Sequence, residues 1–307
     1  MINKPSATVL MSVYNGETLI DRALQSILAQ TMKSYEIIII NDGSKDQTAE
    51  KVRNYRNKKI KLINLKENYG ISKARNIGLL YARADLIFIM DADDEMAKDR
   101  LQKQKAFMDA YPEITISGTY VEKIADSNSQ ILKYPNSDGD IKARLLAVNG
   151  SAMIDPSTCL RRDFVTTNYF LYPGMRTDMD HAAWFNATKN GAIFGICPQT
   201  LLKYHRHGNN ITSEKSERHD EHIRAKARIR REILQHYYPE LTGHECTKIC
   251  QLMALQTNLT KQDVRQALSA IWKCYKEKTS YYGESKETLA QILKRYEQVA
   301  VKALAKE

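Results

Sequence analysis

Four acidic residues, Asp91, Asp93, Asp94 and Glu95, fall within five positions directly behind the apolar run "LIFIM". Carboxylates this close repel one another and stay ionised together only where cations or hydrogen-bond donors offset them. In an extended segment residues two apart point the same way, so Asp91 and Asp93 reach one side together while Asp94 turns elsewhere. Such a pair suits a hard divalent cation, Mg²⁺ or Mn²⁺, which takes oxygen ligands and commonly completes its shell with substrate phosphates. The bland alternative is a solvated acidic turn. An EF-hand starting at Asp91 is excluded, because its sixth and twelfth positions hold Met96 and Gln102. A phosphatase of the aspartyl-phosphate type would want Thr or Val where Glu95 stands.

Two further polar clusters accompany the acids. "YNGE" (Tyr14 to Glu17) and "NDGSKDQT" (Asn41 to Thr48) each follow an apolar run. Asn41, Asp42 and Gly43 are common turn residues, but behind a buried strand Asp42 is also suited to accept hydrogen bonds from a base N–H or a ribose hydroxyl. Arg75, in "ISKARNIGLLYAR", offers a guanidinium that could bind phosphate or stack on a base, or simply charge a helix surface. Neither GxxxxGK nor GxGxxG occurs, so a P-loop nucleotidase and a standard dinucleotide fold lack their phosphate cradle.

The elements that must position these clusters alternate. "ATVLMSV", "YEIIIIN", "KIKLINL" and "DLIFIM" read as strands, and "TLIDRALQSILAQ", "QTAEKVRNYR" and "ISKARNIGLLYAR" as helices between them. This is the rhythm of an α/β fold with a mostly parallel sheet covered by helices on both faces. Open sheets of this kind bind ligands outside the carboxyl ends of their strands. All three polar clusters fall at such ends.

The middle of the chain is less regular. It holds a helix "AKDRLQKQKAFMDAYP", strand-like "ITISGTYVEKI" and "STCLRRDFV", a helix around "DMDHAAWFNATKNG", and then "TLLKYHRHGNNITS". From Glu214 onward the composition turns helical. Thr260 and Asp263 resemble a capping box ahead of Val264, Leu268, Ile271, Trp272 and Tyr275, and a last helix begins at Ser285. The division expected is 1–97 for the ligand-binding half of an α/β domain, 98–213 for a second half, and 214–307 for a C-terminal helical subdomain.

The chain of 307 residues can bury a full core, and its net charge of +10 favours anionic partners without choosing among them. No zinc-finger, RNP or basic-zipper pattern supports nucleic acid as a partner. Five scattered cysteines do not form a disulfide framework, and "HECTKIC" reads as buried thiols rather than a zinc site. No apolar run approaches a membrane span and the N-terminus lacks a signal-peptide layout, so the expectation is a cytoplasmic protein. Arg224, Arg228 and Arg231 share one helix face, which is either simply solvated or a peripheral contact with anionic membrane or a diphosphate-linked acceptor at its inner face.

The ordered series "TVLMSVYNGE", "YEIIIINDGSKDQT", "KENYGISKARNIGLLYARADLIFIMDADDE", "YPGMRTDMDHAAWF" and "LLKYHRHGNNIT" resembles the family 2 glycosyltransferases, which have the GT-A fold. The resemblance covers about Ser6 to Ser213. It implies that Ser12, Val13, Tyr14 and Asn15, with Glu17, form the first nucleotide-contacting loop, that Asp42 contacts uracil or ribose, and that Arg75 helps bind the nucleotide. Asp91, Ala92 and Asp93 match the DxD, with Asp93 the first choice as direct Mn²⁺ or Mg²⁺ ligand beside Asp91. The family's catalytic base lies in an "ED" pair. Here Thr177 replaces the glutamate and Asp178 matches the second acid, with Asp180 as runner-up. In "YHRHGNN" His205 occupies the usual arginine position, Arg206 follows, and His207 matches a histidine that contacts metal or diphosphate.

What the resemblance implies is a metal-dependent, inverting hexosyltransferase. It would move a sugar from a nucleotide-diphosphate donor, a UDP-hexose or UDP-N-acetylhexosamine, to a hydroxyl of a glycan or lipid-linked acceptor in bacterial polysaccharide or lipopolysaccharide synthesis. Because the "ED" pair is altered, a non-catalytic nucleotide-sugar or glycan-binding protein on the same fold stands as the alternative.

Overall fold

The computed structural model describes residues 4–125, 128–147, 152–167, 172, 174, 178–206, 219–254 and 259–305. Strands β1 (Ala7–Val13), β2 (Tyr35–Asn41), β3 (Ile60–Asn64) and β4 (Leu86–Asp91) lie parallel in the order β3-β2-β1-β4. Helices α1 (Ile20–Leu28), α2 (Thr48–Asn54) and α3 (Ile71–Tyr81) connect them. Every residue of β1 and β2 is buried, as a strand covered on both faces requires.

The two-residue period of the strands divides the core. Val9, Met11, Ile37, Ile39, Phe88 and Met90 pack with Ile20, Leu24 and Ile27 of α1. Leu10, Ile38, Ile40, Ile87 and Ile89 face the other way, onto Ala74 and Leu79 of α3 and Trp184. Beyond β4 the sheet turns mixed: β5 (Glu95–Met96), β6 (Ile116–Ala125), β7 (Asn128–Leu132), β8 (Cys159–Arg161) and β9 (Phe194–Arg206) extend it as β4-β8-β6-β9-β5, with β7 pairing β6. A mostly parallel sheet with helices on both faces is therefore present, as the strand pattern predicts, and it carries an antiparallel seam at β4 and β8.

The remaining helices are α4 (Arg100–Ala110), α5 (Asp138–Arg144), α6 (Arg162–Thr167), α7 (Met179–Lys189), α8 (His219–Tyr237), α9 (Gly243–Met253), α10 (Lys261–Lys276) and α11 (Lys286–Leu304). Only Cys159–Arg161 of "STCLRRDFV" is strand; Ser157 closes the turn Asp155–Ser157 before it, and Arg162–Val165 start α6. The Thr260 capping box forms, Ser285 caps α11, and Thr242 with Glu245 makes a second capping box that pattern reading did not single out. Trp272 is 54% exposed and donates to Glu297 rather than filling the core face. Ile233 and Leu234 of α8, Ile271 of α10 and Leu289 of α11 join the same apolar cluster as the sheet. The expected boundary near residue 213 lies outside the described residues. Among the described residues no helix is long and apolar enough to cross a membrane.

Gly43, at the turn after β2, has φ +70°, and a Cβ there would stand 2.4 Å from the backbone of Glu67. Backbone cannot step aside as a side-chain tip can. Gly43→Ala is expected to cost about 2 kcal/mol of stability, read as a lowered urea midpoint at unchanged slope.

Candidate active site

Register assembles the site. Ser12 of β1 lies beside Asp91 of β4, and Val13 lies beside Asn41 of β2, so the three polar clusters leave the sheet along one row. From β1 the chain crosses to β2 on one side, and β4 lies on the other. The row is thus a topological switch point, where neighbouring loops part and leave a crevice.

Two of the loops are stitched together. Asn15, with φ +50°, donates its N–H to Ser44 Oγ (2.9 Å) and accepts from the Lys45 N–H at Oδ1 (2.9 Å). Glu17 accepts from the Gln47 N–H (2.8 Å), and its own N–H donates to Asp46 (3.0 Å). Val13 is buried, whereas Tyr14 is 48% exposed and projects from the rim. Asp42 is buried and accepts the Tyr69 and Gly70 N–H groups at 2.9 and 2.8 Å, which pins the loop leading into α3. Asn15, Glu17 and Asp42 therefore shape the crevice wall with the side-chain groups through which a ligand would be read.

Arg75 is not a surface charge. Its side chain is 1% exposed and ion-pairs with both Asp91 and Asp155, and its guanidinium sits 5.2 Å from the Tyr172 ring centroid. Burial alone would lower its pKa, but Asp91, Tyr172 and Asp180 outweigh burial and hold it above the usual value. Tyr172 donates its hydroxyl to Asp155 (2.8 Å). Arg75 thus reaches the crevice through Asp91, the carboxylate it orients. Asp155 and Tyr172 carry no motif that would have singled them out in the sequence.

The acidic loop differs from the extended reading. After Asp91 the chain turns, with the Asp94 N–H donating to the Asp91 carbonyl (3.4 Å), and this brings Asp94 back towards its neighbours. One oxygen from each of Asp91, Asp93 and Asp94 lies within 4.8 Å of the others. Asp94 is fully buried, accepts the His205 N–H at Oδ1 (2.9 Å), and has no hydrogen-bond partner at Oδ2. Burial, then the charges of Asp91 and Asp93, push its carboxyl well above the usual range. Asp91 is raised as well, chiefly by desolvation, although a quarter of its side chain remains open to solvent. Three hard oxygens and an orphaned buried carboxylate atom fit a divalent cation.

His205 contacts Glu95 (2.7 Å) through Nε2, so the end of β9 is tied to the acidic loop. Arg206 ends β9, and both His207 and Thr177 lie outside the described residues. Ala92 is half-buried between the two aspartates.

The two acids weighed as base part company. Asp178, 4% exposed at its side chain, turns to α8, where His222 Nδ1 lies 2.5 Å from Oδ2 and Lys226 Nζ 3.7 Å from Oδ1. Asp180, half-buried, lies where its charge is felt at Arg75, Asp91, Tyr172 and Tyr204. Ser72 at the start of α3 touches Met179 (3.5 Å), which sets this turn against the crevice. Asp178, the base expected from the resemblance, thus has one oxygen against the His222 ring and the other near Lys226, whereas the charge of Asp180 acts on groups lining the crevice.

A family model described as glycosyl transferase family 2 matches residues 8–170. An uncharacterized glycosyltransferase of Haemophilus influenzae is 32% identical over 251 residues, covering 77% of this chain and 76% of its own. The Escherichia coli UDP-Glc:alpha-D-GlcNAc-diphosphoundecaprenol beta-1,3-glucosyltransferase WfgD is 28% identical, covering 68% and 80%. Among solved structures, S. aureus TarS 1-349 in complex with UDP-GlcNAc superposes with a TM-score of 0.63 at 16% identity, covering 97% of this chain and 92% of its own. The mannosyltransferase PcManGT from Pyrobaculum calidifontis, in complex with GDP-Man and Mn²⁺, gives 0.55 at 17% identity, covering 100% and 89%. These likenesses identify the GT-A fold.

Asp94 yields a test of the acidic cluster. A carboxyl whose folded pKa is raised above its unfolded value opposes folding once pH exceeds the unfolded value, and the full cost is present above the folded one. Asp94→Asn keeps an acceptor for the His205 N–H and removes that cost. The metal-free variant is expected to melt higher than the parent at pH 7.5, with the difference shrinking as pH falls through the folded pKa. Stabilisation by added Mn²⁺ is expected to be lost.

Proposed function

We propose, from the premise that the chain belongs to the family 2 glycosyltransferases, that it transfers a sugar from a UDP-hexose or UDP-N-acetylhexosamine to a hydroxyl of a glycan or lipid-linked acceptor, with inversion, in the assembly of a bacterial surface polysaccharide. Glycosyl transfer is the family's reaction. The donor reading is supported by the nucleotide in the TarS complex, and the acceptor reading by the lipid diphosphate in the name of WfgD. The observation that carries the proposal is the convergence of Asp91, Asp93 and Asp94 beside Asp42 at the carboxyl edge of the sheet.

Asp42 and the loop it pins would recognise the nucleoside, and Tyr14 at the rim would close over it. Asp91, Asp93 and Asp94 would hold Mn²⁺ or Mg²⁺, which supplies positive charge to the diphosphate as it leaves. Arg75 keeps Asp91 aimed at that position. On the acceptor side Asp180 takes the proton from the hydroxyl while its oxygen bonds to the anomeric carbon. The bond from that carbon to the diphosphate oxygen breaks in the same step, and its electron pair leaves with the nucleotide. One displacement from the opposite face inverts the configuration.

A panel of UDP-sugars, assayed for Mn²⁺-dependent donor consumption with and without acceptor glycans, tests the reading. Binding of a donor without turnover on any acceptor would favour the non-catalytic alternative. For the base, Asp180→Asn is expected to lower kcat by at least 10³-fold while UDP binding is kept. Asp178→Asn, where asparagine tolerates the same backbone, is expected to stay within about tenfold of the parent. The reverse ranking would return the base to Asp178.

A further inference from the structure

Asp178 stands at the N-cap of α7 but does not cap it. Its side chain makes no hydrogen bond to the first turn, and its backbone is left-handed, at φ +53° and ψ +28°. Non-glycine residues adopt this conformation uncommonly, and it persists where surrounding contacts impose it. It is also the bend that starts α7, so it sets the direction in which Asp180, two residues on, leaves the backbone.

The contacts of its side chain come from α8. His222, Lys226 and Arg230 recur every fourth residue and so share one side of that helix. The first two hold the Asp178 carboxylate, and Arg230, 4% exposed, lies within the field of Asp178. His222 meets Asp178 in a close contact that is not aligned as a hydrogen bond, and it becomes an ion pair when the imidazole is protonated. From α7 the titratable groups facing this cluster are Asp178, Asp180 and His181, and His181 donates from Nε2 to the Leu145 carbonyl (2.6 Å). From α9 and α11, Cys250 and Tyr296 face Arg230.

We propose that His222 and Lys226 are positioning residues for the transfer reaction: by gripping Asp178 from α8 they fix the left-handed turn that aims Asp180 at the acceptor hydroxyl. The C-terminal helices thereby complete a catalytic site whose donor side is built by the first hundred residues. This inference rests on the reading of Asp180 as the base.

Steady-state transfer by the full chain tests it through a double-mutant cycle. His222→Leu is expected to lower kcat about tenfold, with the donor KM within twofold and UDP binding unchanged. His222→Asn, which can put an amide nitrogen where Nδ1 lies, is expected to recover at least a third of the parent kcat. The double variant Asp178→Asn with His222→Leu is expected to be no slower than the slower single variant, because both remove one contact. An unchanged kcat in His222→Leu, no recovery in His222→Asn, or effects that multiply in the double variant would each overturn the proposal. Should His222→Leu not fold, Lys226→Met enters the same cycle with Asp178→Asn, and multiplying effects there overturn it. A failure of the underlying base reading shows up separately, as transfer retained by Asp180→Asn.

Discussion

The buried guanidinium of Arg75 is the interaction on which the site depends. It joins the end of β4, through Asp91, to the turn Asp155–Ser157, and it lies against Tyr172. Without it two carboxylates would face each other in a desolvated space with only a tyrosine hydroxyl between them. Removing one partner of a buried ion pair is far more damaging than the pair's own net contribution, because the charge left behind has neither water nor counter-charge. Helix α3 delivers that guanidinium, and Asn76 on the next position holds the Tyr172 backbone in both directions, at 2.8 and 3.3 Å. A second buried arginine, Arg100, anchors the same region from below, donating to the Ile89 and Thr158 carbonyls (3.2 Å each).

Around this centre the chain gathers acidic side chains. Asp91, Asp93 and Asp94 converge with Asp180 in range, against Arg75 and the Arg22 contact to the Asp93 carbonyl. Stability alone would select against such crowding. Under the proposed function this crowding suits a cation and an anionic donor that bind together, and the overall charge of +10 favours the approach of an anion from a distance.

Much of this was legible before any coordinates. The apolar runs of β1 and β2, the caps at Thr260 and Ser285, and the three polar clusters at strand ends all follow from local rules, which act within a few residues. What was not legible depends on partners far apart in the chain. Asp94 was placed outside the cluster because an extended backbone was assumed where the chain turns. Arg75 looked like a ligand-binding side chain because nothing local announces that Asp155, eighty residues on, will enclose it. The basic face of α8 was read at Arg224, Arg228 and Arg231, which are indeed exposed, while His222 and Lys226 on another side of the helix meet Asp178. Asp178 and Asp180 stand two apart in the sequence, and the left-handed backbone at Asp178, whose side chain meets α8, is not announced by any local pattern.

Strand β9 runs between two anchors. Its first residue, Phe194, donates its N–H to Asp138 at the start of α5 (2.8 Å), and its penultimate residue, His205, donates to Asp94. Thirteen residues at about 3.3 Å each make a rod of roughly 40 Å, clamped by β6 along most of its length and by β5 near its end. α5 in turn carries α11, through the Thr288 hydroxyl on Asp140 and the Ser285 N–H on the Gly139 carbonyl. The register of β9 against β6 shifts around Tyr120, so the pairing carries an irregularity between these two ends. The acidic loop and the C-terminal helix, far apart in the sequence, are thus attached at opposite ends of one strand, the helix by way of α5.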